Sequence, residues 1–190
     1  MELFDQLEKI IHNKFCLEVT NQGFFMLTDD EEIKIKKLPP SPVQYHSEKN
    51  FLPCKFDFKD SNEELFKAFD VSVRGVSRMC DYILFFEKRE KKKAPTLFVF
   101  LCELKATRGG ENKQLEASKI FAEFLVKTAN RLLKFKPFKV EYRGIVFSNY
   151  QHTKFKTNLK NETYTKLAHS GLLQMRLRPG TNCILELLTK

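Results

Sequence analysis

Three residues in the middle of the chain have the types and spacing for chemistry on a phosphate. Asp81 stands at the start of an apolar run, Cys80-Asp81-Tyr82-Ile83-Leu84-Phe85-Phe86, and a second run ends in acid-x-lysine, Leu97-Phe98-Val99-Phe100-Leu101-Cys102-Glu103-Leu104-Lys105. Side chains alternate across a strand, so Glu103 and Lys105 share one face while Cys102 and Leu104 take the other. If the two runs pair as a hairpin, Asp81 comes to lie beside Glu103, and two carboxylates and an ammonium converge. The two carboxylates and the backbone carbonyl of Leu104 make an oxygen donor set suited to Mg²⁺ or Mn²⁺. Such an ion lowers the pKa of a bound water and offsets charge on a phosphate under in-line attack. Flanked by two acids, Lys105 suits electrostatic stabilisation of developing charge better than the role of base. Gln114, at the start of the next expected helix, is placed to orient Lys105, hold the attacking water or contact a phosphate. Glu64 upstream is an alternative third acid for the metal.

The elements that must position these residues follow from periodicity. Both apolar runs are short, aromatic and β-branched, and they read as strands joined by the lysine-dense, solvated spacer 87–94. After a loop at 106–110 the spacing predicts a helix over 112–133, with Gln114, Ser118, Phe121, Leu125 and Leu132 on its sheet-facing side. A strand is expected over 140–147. Upstream, Leu3, Phe4, Leu7, Ile10 and Ile11 give an amphipathic helix, and Asn21-Gln22-Gly23 reads as a turn between strands 15–20 and 24–27. A short strand at 33–36 is ended by Pro39, Pro40 and Pro42, and residues 37–53 read as an irregular connection. Ser61 and Glu64 have capping-box spacing for a helix over 62–69. After the polar stretch 150–160 come a short helix at 162–169, stopped by Gly171, and strands at 172–177 and 183–188. The class is α/β (α+β), a central mixed sheet flanked by helices.

In this order, Met79-Cys80-Asp81-Tyr82-Ile83-Leu84, the segment from Phe98 to Lys105, and Gln114-Leu115 resemble the PD-(D/E)XK nuclease superfamily. The resemblance covers 60–148 and implies a restriction-endonuclease-like core there; outside it, the residue pattern gives an N-terminal extension of a helix and short strands over 1–52 that either forms a subdomain or covers the main sheet, and strand and helix elements over 149–190, within one 190-residue domain. It implies Asp81, Glu103, Lys105 and Gln114 as catalytic residues, with Asp81, Glu103, Leu104 and Glu64 toward the metal. Cys80 stands where the superfamily's name has proline, a residue that many members lack. The activity implied is a Mg²⁺- or Mn²⁺-dependent endonuclease, with DNA as the expected substrate, in defence, repair or recombination. A chain this small would gain targeting from a homodimer or a partner subunit.

Composition sets the alternatives. The chain has 33 Lys and Arg against 24 Asp and Glu, a formal charge of +9 that suits a polyanionic partner. Arg78, Arg108, Lys113, Lys154 and Lys156 are the expected nucleic-acid contacts. Five scattered cysteines without a C-x-x-C pair suit a reduced protein rather than a disulfide framework or zinc site. No run reaches the length of a membrane span and no signal sequence opens the chain, so a soluble cytoplasmic protein is expected. His12, His46, His152 and His169 are isolated and read as surface residues. There is no P-loop, dinucleotide or serine-hydrolase motif. Glu103 and Lys105 taken alone equally fit an exposed ion pair at a strand end, Asp81 a turn cap, and Gln114 an ordinary first-turn residue. Two other functions therefore stay open: a catalytically silent nucleic-acid-binding module on the same fold, and a basic surface for an acidic protein partner.

Overall fold

The computed structural model describes residues 3–19, 22–28, 39–56, 73, 78–105, 109–133, 139–148 and 163–189. The expected strand at 33–36, the helix at 62–69, most of 71–79 and the basic stretch 150–160 lie outside them.

A six-stranded sheet is built around the two apolar runs. They form β4 (Tyr82–Lys88) and β5 (Thr96–Lys105), paired antiparallel with Tyr82 opposite Cys102 and Lys88 opposite Thr96. Both strands are buried on both faces, which is why they read as continuous apolar runs and not as alternating ones. β3 (Phe51–Lys55) lines the outer side of β4. From β5 the chain passes through helix α2 (Glu111–Leu133; α1 is Leu3–Ile10) and returns in β6 (Lys139–Ser148), parallel to β5. A parallel pair needs such a crossover, and the helix covers the sheet as it makes it. β7 (Thr165–Lys166) and β8 (Leu173–Leu177) complete the order β3-β4-β5-β6-β8-β7. A mixed α+β architecture is thus observed.

Two apolar layers fix the sheet between its neighbours. On one face, Ile83, Phe85, Leu97, Val99, Leu101 and Val146 pack against Leu7 and Ile11, in and just beyond α1, and against Leu115, Ala122, Val126 and Ala129 of α2. Close approach of α2 depends on Gly144 in β6, where a Cβ would stand 3.0 Å from Leu115 Cδ1. On the other face, Leu84, Phe98, Phe100, Ile145 and Phe147 meet a second, three-stranded sheet. That sheet is β1 (Phe24–Leu27), β2 (Ser41–Gln44) and β9 (Cys183–Ile184) in the order β1-β2-β9, followed by a 3₁₀ helix, Leu185–Thr189. The described part of the N-terminal extension is therefore shared between the two faces. No helix among the described residues is long and apolar enough to cross a membrane.

Several local expectations are corrected. Phe24–Leu27 pairs with Ser41–Gln44 and not with 15–20, where a 3₁₀ turn, Asn13–Phe15, leads to a bridge between Cys16 and Cys54. Residues 37–53 contain β2 and the start of β3 despite Pro42 and Pro53. The Pro53 carbonyl accepts from Leu17 N, on the side away from β4, so proline's missing N–H falls on the sheet's outer side. Of the helix expected over 162–169, residues 163–169 hold the short strand β7 and a turn, and 183–188 give only two strand residues before the 3₁₀ helix. Leu132 is 54% exposed, because the buried stripe of α2 runs through Leu115, Ser118, Ala122, Val126 and Ala129. Cys80 lies beneath α2 while Cys102 takes the other face, since the chain at Cys80 has not yet entered the alternation of β4.

The five cysteines are free thiols in unequal settings. A hydrogen bond with Cys54 draws the half-buried Cys16 thiol below its usual range, whereas burial pushes Cys54, Cys80 and Cys102 well up and Cys183 to about 12. Thiolate reactivity follows. Iodoacetamide at pH 8 should label Cys16 first in the native protein and all five cysteines in denaturant; equal native labelling of Cys80 and Cys102, read by peptide mass spectrometry, would contradict this packing.

Candidate active site

Asp81, Glu103 and Lys105 lie at the end of the sheet where β4 begins and β5 ends. Continuing the strand register one step beyond Tyr82 and Cys102 sets Asp81 opposite Glu103, and alternation along β5 puts Glu103 on the α2 face with Leu97, Val99 and Leu101. Asp81 Oδ2 accepts a hydrogen bond from Leu104 N at 2.5 Å. That carboxylate takes the place of a strand partner which β4, starting at Tyr82, no longer supplies. A strand residue's N–H and C=O project to the same side, so the Leu104 carbonyl also faces the Asp81 end of β4. Glu103 is 1% exposed, and Lys105 Nζ lies 2.8 Å from its Oε1. A surface ion pair is worth little, but a carboxylate this deep needs a partner. The exposed-pair reading of Glu103 is therefore replaced by a buried carboxylate whose partner, Lys105, is itself only 20% exposed.

Helix α2 holds the Asp81 segment in place. Gly109 and Gly110 both have positive φ (95° and 86°), a conformation that favours glycine, and Gly110 O accepts the first helical bond, from Gln114 N. One turn later, Ser118 Oγ accepts from Cys80 N at 2.8 Å, and Gln114 Nε2 donates to Met79 O at 3.2 Å. Gln114 thus grips the backbone that leads into Asp81. Ser118 was legible only as a sheet-facing helix position. Its function as the acceptor for a buried N–H depends on where 79–80 crosses the helix.

A second acid-base pair completes this end. Glu111, in the first turn of α2, accepts from Arg176 Nη2 of β8 at 2.7 Å. Burial alone would raise the Glu111 pKa; the Arg176 hydrogen bond, Glu111's own backbone N–H and the charges of Arg176 and Lys105 outweigh it and bring the carboxyl below its ordinary value. Neither residue was singled out by sequence, because one reads as a helix start and the other as an alternating strand position. Arg78 and Lys113 are exposed and lie next to this end, in the approach to Asp81 and the first turn of α2. Glu64, Arg108, Lys154 and Lys156 lie outside the described residues. The basic hairpin 89–95 is at the opposite pole, about 23 Å away along β4 for its seven residues, so it is not part of this site.

The donor set fits a hard divalent cation in kind: Asp81 and Glu103 carboxylates with the Leu104 carbonyl. Among the described residues no group of three or more His, Cys, Asp and Glu is close enough to hold a metal, so backbone oxygen and water would have to complete the shell. No protein-family model, curated protein or solved structure matches the chain.

Ser118→Ala removes the acceptor of a buried N–H and should destabilise the fold by about 1–3 kcal/mol in urea titration; an unchanged midpoint would mean that Cys80 N finds another acceptor. The lowered Glu111 pKa has a definite sign. Its contribution to stability is present above the ordinary value of 4.5 and is lost as pH falls through the folded value. Glu111→Gln should therefore melt lower than the wild type at pH 7, with the difference shrinking toward pH 3; a constant difference would remove the charge from the explanation.

Proposed function

We propose that this protein is a metal-dependent phosphodiesterase, an endonuclease of the PD-(D/E)XK type with nucleic acid, DNA foremost, as its substrate. The observation that supports the reading is that Asp81 holds Leu104 N while Glu103 pairs with Lys105 on either side of it, at the end of the central hairpin and beside the first turns of α2. Asp81, Glu103 and the Leu104 carbonyl would hold Mg²⁺ or Mn²⁺, which supplies an activated water and charge neutralisation at the phosphate. Glu103, buried and ion-paired, orients the Lys105 ammonium at the edge of the site, where it offsets negative charge developing on the phosphate oxygens. Ser118 and Gln114 keep the Asp81 segment fixed against the helix, so the two carboxylates are held at one spacing before substrate arrives. The exposed Arg78 and Lys113 beside the site, with the chain's net +9, favour a polyanion. Targeting by a homodimer or a partner subunit, and action in a reducing cytoplasm, belong to the same proposal.

A specific observation favours the second reading, a silent nucleic-acid-binding module. One Asp81 oxygen and the Gln114 amide nitrogen are both committed to backbone groups, which suits a fold-holding role as well as a catalytic one.

The test is cleavage of circular and linear duplex DNA, single-stranded DNA and RNA with Mg²⁺ or Mn²⁺. Since Glu103 is buried, Glu103→Gln keeps the side chain's shape and is a better probe than truncation to alanine, which would cost folding. Metal-dependent cutting should vanish in EDTA and fall to background in Glu103→Gln, and Lys105→Ala should lower turnover by about 100-fold or more. Full activity in Glu103→Gln would sink the site. Salt-sensitive binding without cutting of any substrate would select the silent module, and neither binding nor cutting would leave the protein-partner function.

A further inference from the structure

A row of positions crosses the sheet on the α2 face. Glu103 of β5 is in register with Val146 of β6, and Val146 with Arg176 of β8. Two strand spacings separate Glu103 from Arg176, about 10 Å. Val146 between them is fully buried beneath α2, from whose first turn Glu111 reaches Arg176. The ion pair there is one-sided. Nη2 of Arg176 donates to Glu111 Oε1, while Glu111 Oε2 is buried without a hydrogen-bond partner among the described residues. A guanidinium bound to a carboxylate for stability alone ordinarily takes both oxygens in a parallel fork. Among the described residues one of the five guanidinium donors is used, and the Arg176 side chain, 29% exposed, makes no other hydrogen bond. The first turn of α2, where backbone N–H groups lack helical partners, adds to the attraction for an anion and for the acid that steers the arginine.

We propose that Arg176, steered by Glu111, binds a phosphodiester group of a nucleic-acid strand, within a few nucleotides of the Asp81–Glu103 pair. This rests on the nuclease reading and adds to it a phosphate contact on the β8 side of the site, at the exposed end of the row. A guanidinium with a free edge is the group that takes two oxygens of one phosphate, which an ammonium at the same place cannot do. Glu111 is a positioning residue here. It holds one corner of the guanidinium and leaves the rest to the ligand.

The experiment is binding of a 16-nucleotide single strand and its duplex to the full chain in EDTA, at several salt concentrations, with folding followed by circular dichroism. Arg176→Gln should weaken binding by about 10-fold and lower the slope of log K against log salt by about 0.7–0.9, the loss of one phosphate contact. Arg176→Lys should keep the slope while losing part of the affinity. The double variant Glu111→Gln/Arg176→Gln leaves no orphaned charge and should reproduce the slope of Arg176→Gln; it decides the matter if the single variant does not fold. An unchanged slope in either folded variant, with wild-type binding or cleavage intact, overturns this proposal alone. Absence of nucleic-acid binding by the wild type overturns it together with the nuclease reading, and failure of both variants to fold assigns the pair to stability and overturns it as well.

Discussion

The buried carboxylate at the end of β5 is the constraint to which this end of the molecule answers. β5 is covered on both faces for most of its length, yet it ends in Glu103-Leu104-Lys105 with Glu103 almost fully enclosed. An isolated carboxylate at that depth would be prohibitively costly, so the strand must carry its own cation two residues on, where alternation returns it to the same face. The same strand end leaves Leu104 N without a β4 partner, and Asp81 supplies one. Charge pairing and backbone satisfaction thus draw the same groups together, and the chemistry proposed for them uses an arrangement that folding already requires.

Helix α2 joins this end to the rest of the core. Its apolar stripe lies on β5 and β6, with Leu115 over Gly144, and its first turns hold three polar contacts in succession: Glu111 to Arg176, Gln114 to Met79 and Ser118 to Cys80. The apolar contacts set the helix's distance from the sheet. The polar ones then set which backbone segment and which strand its leading end touches. The segment leading into Asp81 on one side, and Arg176 on the other, are held by this one helix. That gives this end of the sheet a floor of strands and a wall of helix.

The same strand pairing carries the lysine-rich hairpin away from that end. Lys88 and Lys93 pair with Glu90 there, at the pole of the sheet opposite Asp81 and Glu103. Proximity in sequence to both key strands says nothing about which end of them a loop occupies; an antiparallel pair necessarily puts its connection at one end and its free termini at the other.

What could be read from sequence was what local periodicity and charge cost determine. The hairpin, the long helix, the strand after it, the shared face of Glu103 and Lys105 and the place of Asp81 beside them all follow from side-chain alternation and apolar runs, which act over a few residues. Other features were decided by partners far away in the chain. Phe24–Leu27 chose Ser41–Gln44, and β9 joined that sheet from the other end of the molecule. Pro53 could sit in a strand because its missing N–H falls on the side away from β4. Gln114 turned to Met79, Ser118 became an acceptor for Cys80, and Arg176 met Glu111 across 65 residues. Each of these depends on where a helix end lands on a sheet. That is set by packing over the whole core, and no short stretch of sequence carries it.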